Sequence, residues 1–190
     1  ARAKTAIEAE NWESAISVLT SAIRAYPANP SFHYVLGNLY SDQKLYASAR
    51  KELLLALSLN YPDIELYSRL SEVSSLLNLD EEALTYIRHY LDVKPEDLFG
   101  WSNYGWLCYK TNRLDEGIGK LHAVLNKYGP DSNLYVGLGN LYTAAFNYPD
   151  AKKYYTLAIQ NAERLNQPYH ASIDYYNRSI LEEVFYHFDD

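Results

Sequence analysis

The residues that could carry chemistry are few, and their spacing matches no common catalytic motif. The sequence contains no phosphate-binding G-x-x-x-x-G-K-[ST] loop, no H-E-x-x-H zinc motif and no C-x-x-C pair. His170 and Asp174 are four residues apart, so a helix would place them on one face, where two ligands could begin a metal site. A single pair is more typical of surface side chains. We therefore expect no metal, no cofactor and no enzymatic activity.

Cysteine use and hydropathy bear on the compartment. Cys108 is the single cysteine, so an internal disulfide is impossible, and we expect a small buried side chain there. No apolar run approaches the ~18 residues that cross a bilayer, and no apolar leader begins the chain. These features favour a cytoplasmic protein without membrane insertion. A periplasmic or membrane-tethered location of the full-length protein stays open.

Negative charge is concentrated in one segment. Residues 63–97 contain nine acidic and three basic side chains, net −6, in a chain whose formal net charge is −7. Nucleic-acid partners require clustered Lys and Arg, so this charge argues against them and favours a basic partner. We prefer the alternative that these acidic side chains stabilise the fold instead of binding a partner. The acidic residues 80–82 would begin a helix and complement its dipole, and Glu65 could pair with Arg69 on a helix surface.

A period of 34 residues runs through the chain. The pentapeptide Leu-Gly-Asn-Leu-Tyr at 36–40 recurs unchanged at 138–142, which is 102 residues, or three periods, further on. A period of this length is typical of paired helices in a solenoid, where each unit buries its apolar face by stacking on its neighbours. Small residues mark the same position in every period: Ala15, Ala49, Ala83, Gly117 and Ala151.

The fifth period carries the clearest motif. Tyr135-x2-Leu138-Gly139-x2-Tyr142, followed by Ala151, resembles the tetratricopeptide repeat (TPR) pattern W-x2-L-G-x2-Y and A-x3-F, with a tyrosine in place of Trp. The resemblance covers about residues 1–166 and rests on packing positions, so it is informative about fold. Versions of the pattern with more departures lie at residues 33–53, 67–95 and 101–121.

The resemblance implies an all-α fold, a right-handed α-solenoid of antiparallel helix hairpins. We expect a single TPR solenoid domain at 1–190 that ends in a helix at 168–187. Because the sequence lacks methionine, we expect a fragment of a larger protein. The predicted repeats are 1–29, 30–63, 64–97, 98–131 and 132–166. Turn signals predict helices at 12–25, 31–41, 46–59, 64–77, 80–92, 97–110, 114–127, 132–145 and 149–166.

The resemblance also implies a binding surface. In TPR proteins the first helix of each hairpin lines a concave face, whose non-motif positions hold a partner peptide. Because Trp106 is not at a motif packing position, we expect it to form an aromatic anchor with Phe99 and Tyr109, flanked by acidic Glu65 and Glu72. The alternative is that Trp106 packs against a neighbouring hairpin or the C-terminal helix. The implied partner-binding positions are Tyr34, Asn38, Glu65, Arg69, Glu72, Phe99, Asn103, Trp106, Tyr109 and Asn140.

Three functions fit these expectations. We favour a non-catalytic scaffold or adaptor that binds a protein or peptide, apolar and basic in character, in the concave groove. A second interpretation is a regulatory or substrate-docking arm of a larger enzyme, and a weaker one is self-association. The terminal-carboxylate clamp of some TPR proteins is not expected here. That clamp needs several basic side chains, and Arg69 is the only one near such a position in the second to fourth repeats.

Overall fold

A computed structural model of the chain describes residues 12–166, and every regular element in that range is an α-helix. The predicted all-α repeat fold is confirmed, and the predicted bounds agree within about two residues. The expected C-terminal helix at 168–187 lies outside the described residues. The nine helices of residues 12–166 are α1 (Trp12–Ala25), α2 (Pro30–Asp42), α3 (Tyr46–Ser58), α4 (Glu65–Leu76), α5 (Asp80–Val93), α6 (Leu98–Lys110), α7 (Leu114–Tyr128), α8 (Ser132–Ala144) and α9 (Tyr148–Arg164).

Contacts divide the chain into two units, with the division after Tyr90 in α5: a first unit at 1–90 and a second unit at 91–190. In the first unit α2 packs against α1, α3 and α4, and α3 packs against α4. In the second unit α8 packs against α6, α7 and α9, and α6 packs against α7. Neighbours in sequence are thus neighbours in space, as in a repeat protein. The single-domain organisation stays a prediction.

A side-chain cap stands before the first helix of each of four hairpins. In each case the side-chain oxygen accepts a hydrogen bond of 3.0–3.1 Å from a backbone N–H two or three residues later. Such caps satisfy N–H groups that have no partner within the helix. Asp63 and Asp97, at the ends of the acidic segment, therefore have structural positions. The four caps, spaced by 34 residues, are Asn29, Asp63, Asp97 and Asp131.

A residue with positive φ lies in the turn of each hairpin. The backbone N–H after it donates to a carbonyl five positions earlier, as Leu45 does to Tyr40 at 2.8 Å. This bond belongs to the Schellman motif, which ends a helix through a left-handed residue. Asparagine tolerates that conformation more readily than a bulky aromatic does. The four residues, with φ of 56–60° and a spacing of 34, are Lys44, Asn78, Asn112 and Phe146.

The motif glycines make room for a large side chain of the partner helix. A Cβ atom on Gly139 would lie 2.5 Å from the ring of Tyr155, and one on Gly37 would lie 2.7 Å from Cγ of Leu53. Leu53 and Tyr155 each lie four residues after the periodic alanine and are buried. The helical cost of glycine, about 1 kcal/mol relative to alanine, is therefore offset by close packing within the hairpin.

Candidate protein-interaction surface

One face of α6 in the second unit exposes three aromatic side chains. Phe99, Trp106 and Tyr109 are 66%, 47% and 40% exposed, respectively. The rings of Trp106 and Tyr109 stack, with centroids 5.2 Å apart and planes inclined by 22°. Spacings of seven and three residues place the three on one side of the helix. The buried side of α6 carries Gly100, Tyr104, Gly105, Leu107 and Cys108.

This arrangement has a direct consequence for Trp106. The buried side of α6 already fills the core, so the indole ring keeps about half of its surface in solvent. Exposed aromatic side chains that stand together are common in protein-binding surfaces. The exposure fits the predicted anchor, and its binding role stays a prediction.

The two asparagines predicted for this surface in the second unit differ. Asn103 lies on α6, partly buried, four residues after Phe99 and three before Trp106. Asn140 lies on α8, and its Oδ1 accepts a hydrogen bond of 2.7 Å from the hydroxyl of Tyr155. Asn103 is thus on the aromatic side of α6, whereas the carbonyl oxygen of Asn140 is engaged inside its own hairpin.

In the first unit, Tyr34 and Asn38 lie on α2. The ring of Tyr34 stacks on Tyr61, with centroids 4.3 Å apart and planes 18° apart. Asn38 is partly buried, and within residues 12–166 its Oδ1 is one of the buried side-chain oxygens without a hydrogen-bond partner. An unsatisfied buried acceptor costs about 1–3 kcal/mol. Asn38 therefore has a free acceptor, and Tyr34 is part of the internal packing.

The three charged positions of α4 form bonds of their own. Arg69 Nη1 donates to Glu72 Oε2 at 3.0 Å, with both side chains about half exposed. The hydroxyl of Tyr90 donates to Glu65 Oε1 at 3.4 Å. Arg69 thus pairs with the residue three positions later, and the expected pairing with Glu65 is wrong. Exposed pairs of this kind contribute less than about 1 kcal/mol.

The aromatic residue at the first motif position forms a hydrogen bond from its ring N–H to a backbone carbonyl oxygen of the loop before the helix. The sequence analysis did not predict this bond. His33, 5% exposed, places Nε2 3.0 Å from the carbonyl oxygen of Pro27 and Nδ1 2.7 Å from Glu52 Oε2. Sixty-eight residues later, Trp101 Nε1 donates to the carbonyl oxygen of Pro95 at 3.0 Å. Because His33 and Trp101 each lie six residues after a proline, this equal spacing could have predicted that both rings bond to the same place in the loop. No sequence spacing predicts the bond between His33 and Glu52.

A partly buried ion pair between two hairpins was also not predicted. Arg50 of α3 donates from Nε and Nη2 to Glu82 of α5 at 2.8 and 2.6 Å, and Ser74 Oγ donates to Glu82 Oε1 at 2.7 Å. The bond from Arg50 lowers the pKa of the Glu82 carboxyl, more than burial raises it. Glu82 therefore joins successive hairpins of the first unit. Residues 80–82 begin α5 as the structural alternative predicted, whereas the bonds of Glu82 and the capping roles of Asp63 and Asp97 were not part of that prediction.

Residues 12–166 offer little else to chemistry. Across that range no three His, Cys, Asp or Glu side chains are grouped to hold a metal ion. Cys108 is fully buried, in agreement with its expected packing role. None of the described helices is long and apolar enough to cross a membrane. The pair His170 and Asp174 lies outside the described residues.

Comparison with known proteins identifies the repeat. The described helices form an all-α helical-repeat solenoid. Residues 1–63 match the family model of the tetratricopeptide repeat. Beyond that match, the chain is similar to TPR proteins in its fold. No curated protein matches it.

Solved structures share this fold at low sequence identity. YrrB, described as a TPR protein with an unusual peptide-binding site, has a TM-score of 0.78 and 20% identity over 90% of this chain and 88% of its own. A TPR protein from Parabacteroides merdae has a TM-score of 0.82 and 20% identity over 94% and 69%. MamA from Desulfovibrio magneticus has a TM-score of 0.75 and 16% identity over 83% and 89%. Such folds are generally non-catalytic modules for binding proteins or peptides.

Proposed function

We propose that this chain is a non-catalytic scaffold that binds a segment of a partner protein on the exposed aromatic face of α6. The stacked and exposed pair of Trp106 and Tyr109, with Phe99 on the same side of α6, carries this proposal. Trp and Tyr dominate interface hot spots because they bury a large area at low conformational cost. The peptide-binding site named for YrrB supports the same class of partner.

The proposed partner segment carries both apolar and basic side chains. The apolar part would cover the aromatic face of α6. The basic part follows from the net charge of −6 over residues 63–97. Glu82 is compensated by Arg50, which lies outside this segment, whereas the pair of Glu72 with Arg69 is already counted in the net charge, and exposed charges are screened by salt. We therefore assign most of the binding free energy to the aromatic anchor and a smaller, salt-dependent part to charge.

The test is a peptide selection followed by measurement on variants. A random peptide library is panned against the wild-type chain, and the selected peptides are synthesised and titrated calorimetrically. Trp106→Ala is expected to weaken binding about thirtyfold or more, since truncating a hot-spot aromatic costs about 2 kcal/mol. Its melting temperature should stay close to the wild-type value, because the ring is half exposed.

Phe146→Ala is the matched control. Phe146 is also an exposed aromatic residue of the second unit, 78% exposed, but it lies in a hairpin turn outside the first helices. Binding should be unchanged in this variant. Peptides that bind the Trp106 variant as tightly as the wild type, or that depend on Phe146 instead, would remove the α6 face from the proposal.

A further inference from the structure

An aromatic cluster around His122 joins the last three described helices of the second unit. Nε2 of His122, on α7, lies 3.1 Å from the hydroxyl of Tyr142 on α8 and 3.4 Å from that of Tyr154 on α9. The two tyrosine rings are stacked, with centroids 5.4 Å apart and planes inclined by 3°. The imidazole plane is inclined by 67° to the ring of Tyr142 and by 68° to that of Tyr154. This cluster uses no residue of the proposed binding surface.

The geometry favours one protonation state of the histidine. Both hydroxyls lie within hydrogen-bond distance of the same ring nitrogen; with the proton of the neutral ring on Nδ1, Nε2 can accept from both, whereas with the proton on Nε2 it can donate to only one. Protonating Nε2 would turn this acceptor into a donor. One hydroxyl would then have to reverse, and the other would lose its partner. Because Tyr154 is buried, its hydroxyl has little access to replacement water.

The charged groups around the cluster act in opposite directions. Lys153 of α9 lies over the ring of Tyr154, with Nζ 5.1 Å from the ring centre, and disfavours a second cation. Asp150 of α9, which accepts a hydrogen bond from the amide of Asn147, favours a cation. The remaining titratable groups are the phenols of Tyr142, Tyr154 and, 6.1 Å from Tyr154, Tyr135. Burial raises the pKa of the Tyr142 and Tyr154 phenols, which stay neutral in the physiological range.

We propose that His122 makes the packing of α7, α8 and α9 sensitive to acid, so that protonation of this one side chain loosens the last described hairpin. The neutral ring holds both neighbouring helices through its acceptor nitrogen. The charged ring gives up that role and is repelled by Lys153. The first unit has no part in the switch, which operates without any bound partner.

The sign of the pH dependence follows from the direction of the shift. Burial, and then Lys153, lower the pKa of His122 in the folded state below its ordinary value. The opened state therefore binds the proton more tightly than the folded state. Stability from His122 is fully present above the ordinary histidine pKa of about 6.5 and is lost as the pH falls toward the lowered value.

Amide hydrogen exchange of the full chain, corrected for the intrinsic pH dependence of exchange, tests the proposal between about pH 7.5 and pH 5. In the wild type, protection of α7–α9 should fall by up to about tenfold per pH unit, the limit for one proton. His122→Gln keeps a neutral acceptor and should flatten this dependence. Lys153→Gln, at an exposed position, should weaken it without disturbing the fold.

His89→Gln is the control. His89 is exposed in the first unit and contacts the ring of Tyr67, so its replacement should leave the exchange of α7–α9 unchanged. The proposal is overturned if His122→Gln retains the wild-type pH slope. It is also overturned if the slope is unaffected by Lys153→Gln and reduced by His89→Gln.

Discussion

The second and fifth repeats share the pentapeptide Leu-Gly-Asn-Leu-Tyr and use its asparagine differently. In the fifth repeat the hydroxyl of Tyr155 donates to Asn140 Oδ1 at 2.7 Å. In the second repeat the corresponding residue, 102 positions earlier, is Leu53, which has no polar atom to offer. Oδ1 of Asn38 is consequently buried without a partner among the described residues.

The difference separates what the motif fixes from what its surroundings decide. The glycine has the same role in both repeats, since Leu53 and Tyr155 each occupy the space that a Cβ atom would fill. The asparagine is satisfied in one repeat and left with a free acceptor in the other. Asn38 and Asn140 are therefore not equivalent candidates for partner binding, although the resemblance to TPR proteins assigned both the same role.

The largest expected effect comes from removing the ring that distinguishes the fifth repeat. Tyr155→Ala should lower the free energy of unfolding by about 3–5 kcal/mol, because it empties the space between α8 and α9 and breaks the bond to Asn140. Urea denaturation followed by circular dichroism measures the change. An unchanged unfolding midpoint would contradict the packing of Tyr155 against Gly139.

Adding a methyl group at Gly139 and at Gly37 should lower the free energy of unfolding by different amounts. Gly139→Ala is expected to destabilise by about 1–3 kcal/mol through overpacking, partly offset by the helix propensity of alanine. The added Cβ would meet the planar ring of Tyr155 at 2.5 Å. Gly37→Ala should cost somewhat less, since its Cβ would lie 2.7 Å from Cγ of Leu53 and 3.2 Å from the carbonyl oxygen of Ala49, both longer than the approach to Tyr155. Equal losses in paired thermal melts would show that the ring and the leucine yield to the same degree.

Removing the hydroxyl of Tyr155 should leave Oδ1 of Asn140 without a hydrogen-bond donor, as Oδ1 of Asn38 is now. Tyr155→Phe leaves Oδ1 of Asn140 without the bond it now accepts, at an expected cost of about 1–2 kcal/mol. Tyr109→Phe removes a hydroxyl from an exposed ring and should leave stability unchanged. Both are measured by the same urea titration. A fully stable Tyr155→Phe variant would mean that this bond contributes nothing net.

The smallest effect on folding is expected at Asn38. Asn38→Ala removes an unsatisfied buried acceptor but also loses the packing of a partly buried side chain, and because the two effects oppose each other the free energy of unfolding should change by less than about 0.5 kcal/mol or rise slightly. Asn140→Ala loses the hydrogen bond from Tyr155 and should lower the free energy of unfolding by about 1 kcal/mol. Thermal melts of the two variants give the comparison directly. A loss at Asn38 as large as at Asn140 would refute the unpaired acceptor.

The sequence predicted the helices well because their ends are local features. The turn at 60–63 and the proline at 130 interrupt helical dihedrals wherever they occur, so the bounds of α3 and α8 could be placed within about two residues. The four capping side chains were equally visible at a spacing of 34, although Asp63 and Asp97 entered the prediction only through their charge.

The candidate site was less predictable because it depends on which side chains meet across helices. The exposed side of α6 followed from periodicity, since Gly100 and Tyr104 occupy its buried side. The partners of Arg69 and Asn140 depend instead on rotamers and on the register between helices. Because Glu65, Arg69 and Glu72 all lie on α4, the rotamer of Arg69 decides which of the two carboxylates it meets. No spacing in a single sequence carries this information.

The capping residues Asn29, Asp63, Asp97 and Asp131 have a kinetic consequence. Each bonds to an N–H only two or three positions away, and each hairpin turn closes over five residues. These contacts have low contact order, so little loop entropy is lost when they form, and fast folding is the expected result. Each hairpin holds the signals for its own nucleation, and folding can therefore begin at several points along the chain and spread to neighbouring hairpins.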